Sequence, residues 1–168
     1  MTHIHSFPAI SDPSATRLIL GSMPGKASLE AGQYYAHPRN LFWKILNSFD
    51  LVDSSAPYPQ RCQQLVDQRI ALWDVLKLCT RTSSLDSDIV GSSMVANDLY
   101  DFLTCHPNVT QIFFNGAKAQ QIYQRHVLPE IEERFPDITT TRLPSTSPAN
   151  AAIAEEIKLS AWRAVTVS

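Results

Sequence analysis

LILGSMPGKASLEAGQYYAHPRNLFW, residues 18–43, is the most informative segment of this sequence. An apolar run predicts a buried β-strand at residues 17–21, and the strand ends at Gly21. A turn at residues 22–25 follows, and a polar and aromatic loop then leads into an apolar helix that begins near Leu41. Because open α/β folds bind ligands at the carboxyl ends of parallel strands, we expect a ligand site in this segment.

Three further apolar runs predict strands at residues 70–75, 111–115 and 138–143, and a helical pattern accompanies each of them. Short, mostly apolar strands that alternate with helices are typical of a parallel sheet with helices on both faces. The sequence therefore predicts an α/β fold, a three-layer α/β/α sandwich around a central four-stranded parallel sheet.

Other segments carry weaker patterns. Residues 1–16 show no periodicity and are predicted to be an irregular lead-in, and residues 79–92 are predicted to be a long polar loop. Val95 and the apolar residues after it predict a helix that ends before Pro107. The pair Ser147–Pro148 is a typical helix start, so we expect the last helix to begin there.

Composition indicates one globular domain that spans residues 1–168. Charged residues make up 18% and hydrophobic residues 44% of the chain, which is ordinary for a folded domain. No apolar run is long enough to cross a membrane, and the N-terminus lacks the pattern of a signal peptide. The 3 cysteines are scattered, which suits a reducing compartment. We expect a cytoplasmic monomer without a membrane partner.

Polar loops follow all four predicted strands, and in a parallel sheet these loops lie at one edge. They contain amides, hydroxyls and tyrosines, but no set of His, Cys, Asp or Glu with the spacing of metal ligands. The sequence also lacks a Walker loop, a GxGxxG motif and a GxSxG motif. We therefore expect a hydrogen-bonding pocket without a metal or cofactor, formed by the loop after the first strand and by residues 143–150.

Two motifs in these loops resemble those of the uracil-DNA glycosylase superfamily. One is the Gly-x-x-Pro-Gly turn with YAHPRNLFW at residues 35–43, and the other is LPSTSPAN at residues 143–150. The resemblance covers residues 17–162 and is strongest to the mismatch-specific uracil-DNA glycosylases and the hypoxanthine-DNA glycosylases. It implies their fold, a role in base excision repair, and a DNA partner that contains deaminated bases. In a bacterium the protein would then be associated with the nucleoid.

Two positions favour the hypoxanthine branch. Met23 stands where the mismatch-specific enzymes have the Asn that positions the hydrolytic water, and Ser145 stands where their second motif has another Asn. In the hypoxanthine enzymes the working Asn belongs to the His-Pro-x-Asn sequence, which ends at Asn40 here. The resemblance therefore implies a monofunctional DNA glycosylase that flips out and removes hypoxanthine, with Asn40 as the catalytic residue.

The resemblance also implies roles for other site residues. Tyr35 would stack on the flipped base, Asn115 would bind its edge, and the start of the last helix would hold a phosphate. The predicted base-binding residues are Ser22, Met23, Tyr35 and Asn115. The predicted DNA-binding residues are Ser145, Thr146, Ser147, Pro148 and Ala149. Phosphate contacts are expected from the cations Lys26, Arg39, Arg81 and Lys118; the alternative for Arg81 and Lys118 is a solvated surface position without a phosphate contact.

Several of these residues also have a structural interpretation. Asn40 could cap a helix, Phe42 suits the core, and His37 could brace the turn. Asn115 could form part of a strand-ending turn, and Asp74 is assigned a structural role. Three other functions remain open: a uracil or mismatch glycosylase, a catalytically lapsed module that binds damaged DNA, and an enzyme that acts on free nucleosides.

Overall fold

The computed structural model describes residues 2–167, which form two β-sheets and a set of short helices. In chain order the elements are β1 (Thr2–His5), β2 (Arg17–Gly21), α1 (Lys26–Ala31), α2 (Phe42–Ser48), α3 (Tyr58–Asp67), β3 (Ile70–Asp74), β4 (Leu76–Arg81), β5 (Val95–Ala96), α4 (Leu99–Cys105), β6 (Gln111–Asn115), α5 (Ala117–His126), α6 (Leu128–Ile131), β7 (Thr139–Leu143) and α7 (Glu155–Trp162). Short 3₁₀ helices lie at Asp86–Asp88, Gly91–Ser93 and Arg163–Thr166.

The central sheet has four parallel strands in the order β3-β2-β6-β7. Gly21 pairs with Asp74, and Asn115 pairs with Leu143, so the carboxyl ends of the strands are aligned at one edge. The predicted parallel sheet is confirmed, and each predicted strand lies within one residue of the observed one.

Two hydrophobic clusters cover the two faces of this sheet, because alternate residues of each strand point to opposite sides. Leu18 and Leu20 of β2 belong to the cluster that contains buried residues of α4, α5 and α6. Ile19 belongs to the other cluster, with buried residues of α2, α3 and α7. The three-layer α/β/α architecture is therefore confirmed.

A second, antiparallel sheet in the order β1-β4-β5 corrects three predictions. Residues 2–5 are a strand rather than a lead-in, and they pair with residues 78–81, which the sequence places partly in a loop. Val95 belongs to β5, and the next helix begins only at Leu99, after an Asp98 side chain that accepts a hydrogen bond from the Asp101 N–H. Strands β1 and β4 mix polar and apolar residues, and their partners lie more than seventy positions apart, so no local pattern indicates their pairing.

The last helix begins at Glu155, so the prediction of a start at Ser147–Pro148 is wrong. The Ser147 hydroxyl accepts a hydrogen bond from the Ala149 N–H, and the Ser147 carbonyl accepts one from the Asn150 N–H. These bonds make a local turn, which is the competing conformation that serine favours. The phosphate site predicted at a helix start therefore has no helix to form it.

None of the helices within residues 2–167 combines the length and the apolar character that crossing a bilayer requires.

Candidate active site

A cleft of about 880 Å³ lies at the carboxyl edge of the central sheet. Residues of the loop after β2 and of the loop after β7 both line it, so the prediction that these two loops form one pocket is confirmed. The residues from sequence analysis that line the cleft are Ser22, Met23, Tyr35, His37, Asn40, Asn115, Ser145, Thr146, Ser147, Pro148 and Ala149.

Asn115 fastens the second loop to the sheet. Its Nδ2 group donates to the Thr146 hydroxyl over 3.0 Å, and its Oδ1 accepts from the Thr146 N–H over 2.9 Å. The Thr146 carbonyl in turn accepts from the Leu41 N–H of the first loop over 3.0 Å. Thr146 is 0% exposed, so the structure gives it a positioning role between the two loops. The prediction that Asn115 binds the base rests on its remaining N–H and lone pair.

Helix α7 supports the same loop from behind, and sequence analysis missed these contacts. The Trp162 indole donates to the Pro144 carbonyl over 2.8 Å, and the buried Lys158 ammonium donates to the Asn150 carbonyl over 2.7 Å. Asn150 itself donates to the Ser145 carbonyl over 3.1 Å. The four-residue spacing of Lys158 and Trp162 puts both on one face of a helix, which is the signal that could have found them.

The end of the first loop is a chain of local hydrogen bonds. The His37 Nδ1 accepts from the Arg39 N–H over 3.1 Å, which is the bracing role considered for this histidine. The Asn40 Oδ1 accepts from the Phe42 N–H over 3.0 Å, directly at the start of α2. Asn40 therefore stabilises the helix start. It also lines the cleft, where the second lone pair of Oδ1 and the Nδ2 group are available to bind a ligand or water.

Tyr35 is an aromatic residue at the floor of the cleft. Its ring stacks on Phe42 with the centroids 4.2 Å apart, and Phe42 is fully buried as its core interpretation required. The Tyr35 backbone has φ of 53°, in the left-handed region that non-glycine residues seldom adopt. This conformation places the hydroxyl beside Gly21, where an added Cβ would lie 2.8 Å from Tyr35 Oη.

Asp74 occupies the same floor, and sequence analysis did not assign it to the site. It is the last residue of β3 and is 3% exposed, and an added Cβ at Gly21 would lie 2.5 Å from its Oδ1. Burial raises the pKa of Asp74 to about 7, the nearby Asp86 adds to this increase, and Arg81 opposes it. The absence of a side chain at Gly21 is what lets Asp74 and Tyr35 approach each other.

Ser22 and Met23 lie against the rest of the protein as well as against the cleft. The Ser22 hydroxyl donates to Asp86 Oδ1 over 2.7 Å, and burial raises the pKa of Asp86. Met23 is buried in the core cluster beneath the cleft. Base binding by these two residues stays a prediction. Asp86 belongs to residues 84–87, which form a third side of the cleft that sequence analysis treated only as a polar loop.

Arg81 is not a surface cation, so its predicted phosphate contact is wrong. Its side chain is 3% exposed, and its guanidinium donates to the Pro24 carbonyl beneath the first turn. Exposed cations that do line the cleft are Lys26, as predicted, and Arg142, which sequence analysis missed. Arg39 is exposed nearby and Lys118 is half-buried.

Within residues 2–167, no three His, Cys, Asp or Glu side chains converge in a way that could hold a metal ion. The cleft instead offers an aromatic ring, amides, hydroxyls and a buried carboxyl, with exposed cations at its rim. Such a site suits a flat, polar heterocycle inside and phosphates outside, which is the arrangement of an enzyme that acts on a flipped nucleotide.

Comparison with known proteins agrees with this class. Residues 8–166 match the model of the Uracil DNA glycosylase superfamily, and the chain belongs to that superfamily. It is therefore a DNA glycosylase, a hydrolase of N-glycosyl bonds that acts on DNA with damaged bases.

Relatives in two Methanosarcina species carry a more specific name. A Hypoxanthine DNA glycosylase of Methanosarcina acetivorans is 35% identical over 162 residues, which is 95% of each chain. One of Methanosarcina barkeri is 37% identical over 114 residues, which is 67% of this chain and 71% of that protein. A solution NMR structure of a protein from M. acetivorans, provisionally named a uracil DNA glycosylase, superposes with a TM-score of 0.80 at 33% identity, covering 98% of this chain and 97% of that one.

Proposed function

We propose that this protein removes hypoxanthine from DNA by hydrolysing the N-glycosidic bond of deoxyinosine. One observation about the cleft carries the proposal: Asn40 lines it with polar atoms available, whereas Met23, which also lines it, offers only a largely buried thioether. The names of the two relatives, which cover most of this chain, support the same substrate.

In the proposed mechanism the target nucleotide leaves the duplex and its base enters the cleft. The C1′–N9 bond breaks with its electron pair going to the base, and the sugar becomes oxocarbenium-like. A water held by the Asn40 carboxamide then forms the new C1′–O bond, and its released proton balances the charge on the departing base. The products are free hypoxanthine and an abasic site.

A base-release assay tests this function directly. Duplex DNA that carries one hypoxanthine, one uracil or one xanthine is incubated with excess enzyme, and free base and strand scission after alkali are measured. Hypoxanthine release that exceeds uracil release supports the proposal. Preferred uracil release would instead establish a uracil glycosylase.

Two further results would contradict hypoxanthine excision in DNA. Tight binding to the damaged duplex without any base release would establish a binding module. Release from free deoxyinosine but not from DNA would establish a nucleoside hydrolase. We also propose that the protein acts as a monomer, since the loops after β2 and β7, which carry the predicted site residues, belong to the same chain.

A further inference from the structure

A buried polar atom at the floor of the cleft, Asp74 Oδ2, has no hydrogen-bond partner within residues 2–167, and Asp74 lines the cleft. The neighbouring Tyr35 hydroxyl lies close to the Asn115 side chain. Buried polar atoms in native proteins are almost always hydrogen-bonded, so a carboxyl oxygen without a partner in the lining of a cleft indicates a group that binds a ligand.

No hydrogen bond or ion pair within residues 2–167 engages the Asp74 side chain, and the buried Arg81 guanidinium acts on it only at longer range. The Asn97 Nδ2 donates to the main-chain carbonyls of Asp74 and Leu76, so it secures the strand and leaves the Asp74 side chain free. The one ion pair within residues 2–167 joins Lys44 to Glu155, at a distance of 2.7 Å, and does not involve Asp74.

Other polar groups of the floor are already engaged. The Asn115 carboxamide makes two hydrogen bonds to Thr146, and the Ser22 hydroxyl donates to Asp86. Asp74 is therefore the floor side chain that combines burial, a position in the lining of the cleft and a carboxyl oxygen without a protein partner.

We propose that Asp74 binds the edge of the deaminated base as a neutral carboxyl, with its O–H donating a hydrogen bond to the 6-oxygen. This assignment rests on the proposed function. A neutral carboxyl can donate and accept at once, which matches the O6 acceptor and the N1–H donor of hypoxanthine. As the C1′–N9 bond breaks, negative charge accumulates on the base, and the donated hydrogen bond becomes stronger.

A neutral carboxyl also complements the edge of adenine. The proposed Asp74 contact therefore affects the rate at which the base departs more than it affects the choice between hypoxanthine and adenine. An ionised Asp74 has no proton to donate. It would place a negative charge against the 6-oxygen and against the charge that develops on the leaving group. Excision should therefore require the neutral form.

The charged and titratable groups that face Asp74 support the neutral form near pH 7. Burial is the largest cause of its raised pKa, the Asp86 carboxyl adds to the increase, and the Arg81 guanidinium opposes it. Tyr35 and Tyr34 are the other titratable neighbours, and burial raises the pKa of both, so they remain neutral hydroxyls.

The pH dependence of single-turnover excision tests the proposal. With saturating enzyme and a duplex containing one hypoxanthine, the wild-type rate should fall about tenfold per pH unit above a midpoint at or above about pH 7. Asp74→Asn supplies a donor and an acceptor at every pH, so this falling limb should be absent. Asp74→Ala should be slower than the wild type by about 10²-fold at pH 6.

Matched controls make the result specific. All variants act on the same substrate, so ionisation of the base or the DNA affects them equally. Asp137→Asn removes an exposed carboxyl next to the amino end of β7, far from the cleft, and should keep the wild-type profile. If Asp74→Ala does not fold, the Asn variant alone decides.

Three results would overturn the proposal. Wild type and Asp74→Asn could share one pH profile, or Asp74→Ala could excise as fast as the wild type; either result would remove Asp74 from base binding and leave the proposed function intact. A wild-type protein that releases no hypoxanthine at any pH would overturn both proposals.

Discussion

At the scale of single residues, Asn40 has one observed role and one proposed role, and substitution can separate the two. Its Oδ1 already accepts a hydrogen bond from the Phe42 N–H, so it contributes to the start of α2 whether or not it also orients water. The two roles differ in what they affect, because a capping interaction contributes to stability and a water-orienting interaction contributes to the rate of excision.

Asn40→Ala should lower the single-turnover excision rate by about 10²-fold, the range for one preorganised polar group. Unfolding free energy should fall by about 1 kcal/mol from the lost helix-start bond. Asn40→Asp keeps an oxygen acceptor, so it should retain part of the excision rate and part of the helix-start contribution to stability. Rates are measured at matched folded concentration, with DNA binding as the control that should hardly change. Excision by the Ala variant at the wild-type rate would assign Asn40 to the helix alone.

Asp74 should also affect stability in a pH-dependent way. Its pKa rises from 3.8 in the unfolded chain to about 7 in the fold, so its contribution is fully present below about pH 4 and is lost as pH rises to about 7. Asn does not titrate. The unfolding free energy of Asp74→Asn, relative to the wild type, should therefore increase from pH 4.5 to pH 8 by about 3 kcal/mol. Urea unfolding of both proteins across this pH range measures the difference in unfolding free energy. A difference that does not change with pH would show that Asp74 is not buried as described.

At the scale of elements, the position of the second loop depends on hydrogen bonds that reach it from β6, from the first loop and from α7. Asn115, Leu41 and Trp162 make these contacts with residues 144–146. The loop has little regular structure of its own, so its shape depends on these elements rather than on local sequence.

Thr146→Val tests this arrangement, since it keeps the side-chain shape and the N–H bond but removes the hydroxyl that Asn115 donates to. Leaving the buried Asn115 N–H without a partner should cost about 1–3 kcal/mol of unfolding free energy. Excision should fall as well, because both loops meet at Thr146. Thr141→Val, at an exposed position of β7, is the control and should change neither quantity appreciably. An excision rate unaffected by Thr146→Val would show that the loop is held without this bond.

At the scale of the whole molecule, a net charge of −2 requires that DNA binding depend on local cations. Lys26 and Arg142 line the cleft and are exposed, whereas Arg81 is buried under the first turn. We therefore expect the edge of the sheet that carries these exposed cations to face the phosphates.

The logarithm of the association constant for duplex DNA should fall linearly with the logarithm of salt concentration, with a slope of about −0.9 for each phosphate contacted. Arg142→Gln and Lys26→Gln should each weaken binding and reduce the slope by about 1 in magnitude. Arg125→Gln, in the last turn of α5, is a control of the same charge change. A slope that the Arg142 and Lys26 variants leave unchanged would place the phosphates elsewhere.

Sequence alone determined the central sheet, because buried parallel strands are short apolar runs that polar residues interrupt sharply. It also identified both loops of the cleft, since the residues that follow parallel strands must lie at one edge. It placed Asn40 and Tyr35 in that cleft through their motif.

Only the tertiary structure decided the remaining features, because each depends on groups distant in the chain. The β1–β4 pairing joins residues more than seventy positions apart, and the turn at Ser147 displaced the expected helix start. The burial of Arg81 depends on the Pro24 carbonyl, and the unpartnered carboxyl of Asp74 depends on the space left by Gly21. The local sequence pattern indicates which residues are apolar. Whether a polar group has a hydrogen-bond partner, and which group that partner is, depends on the assembled fold.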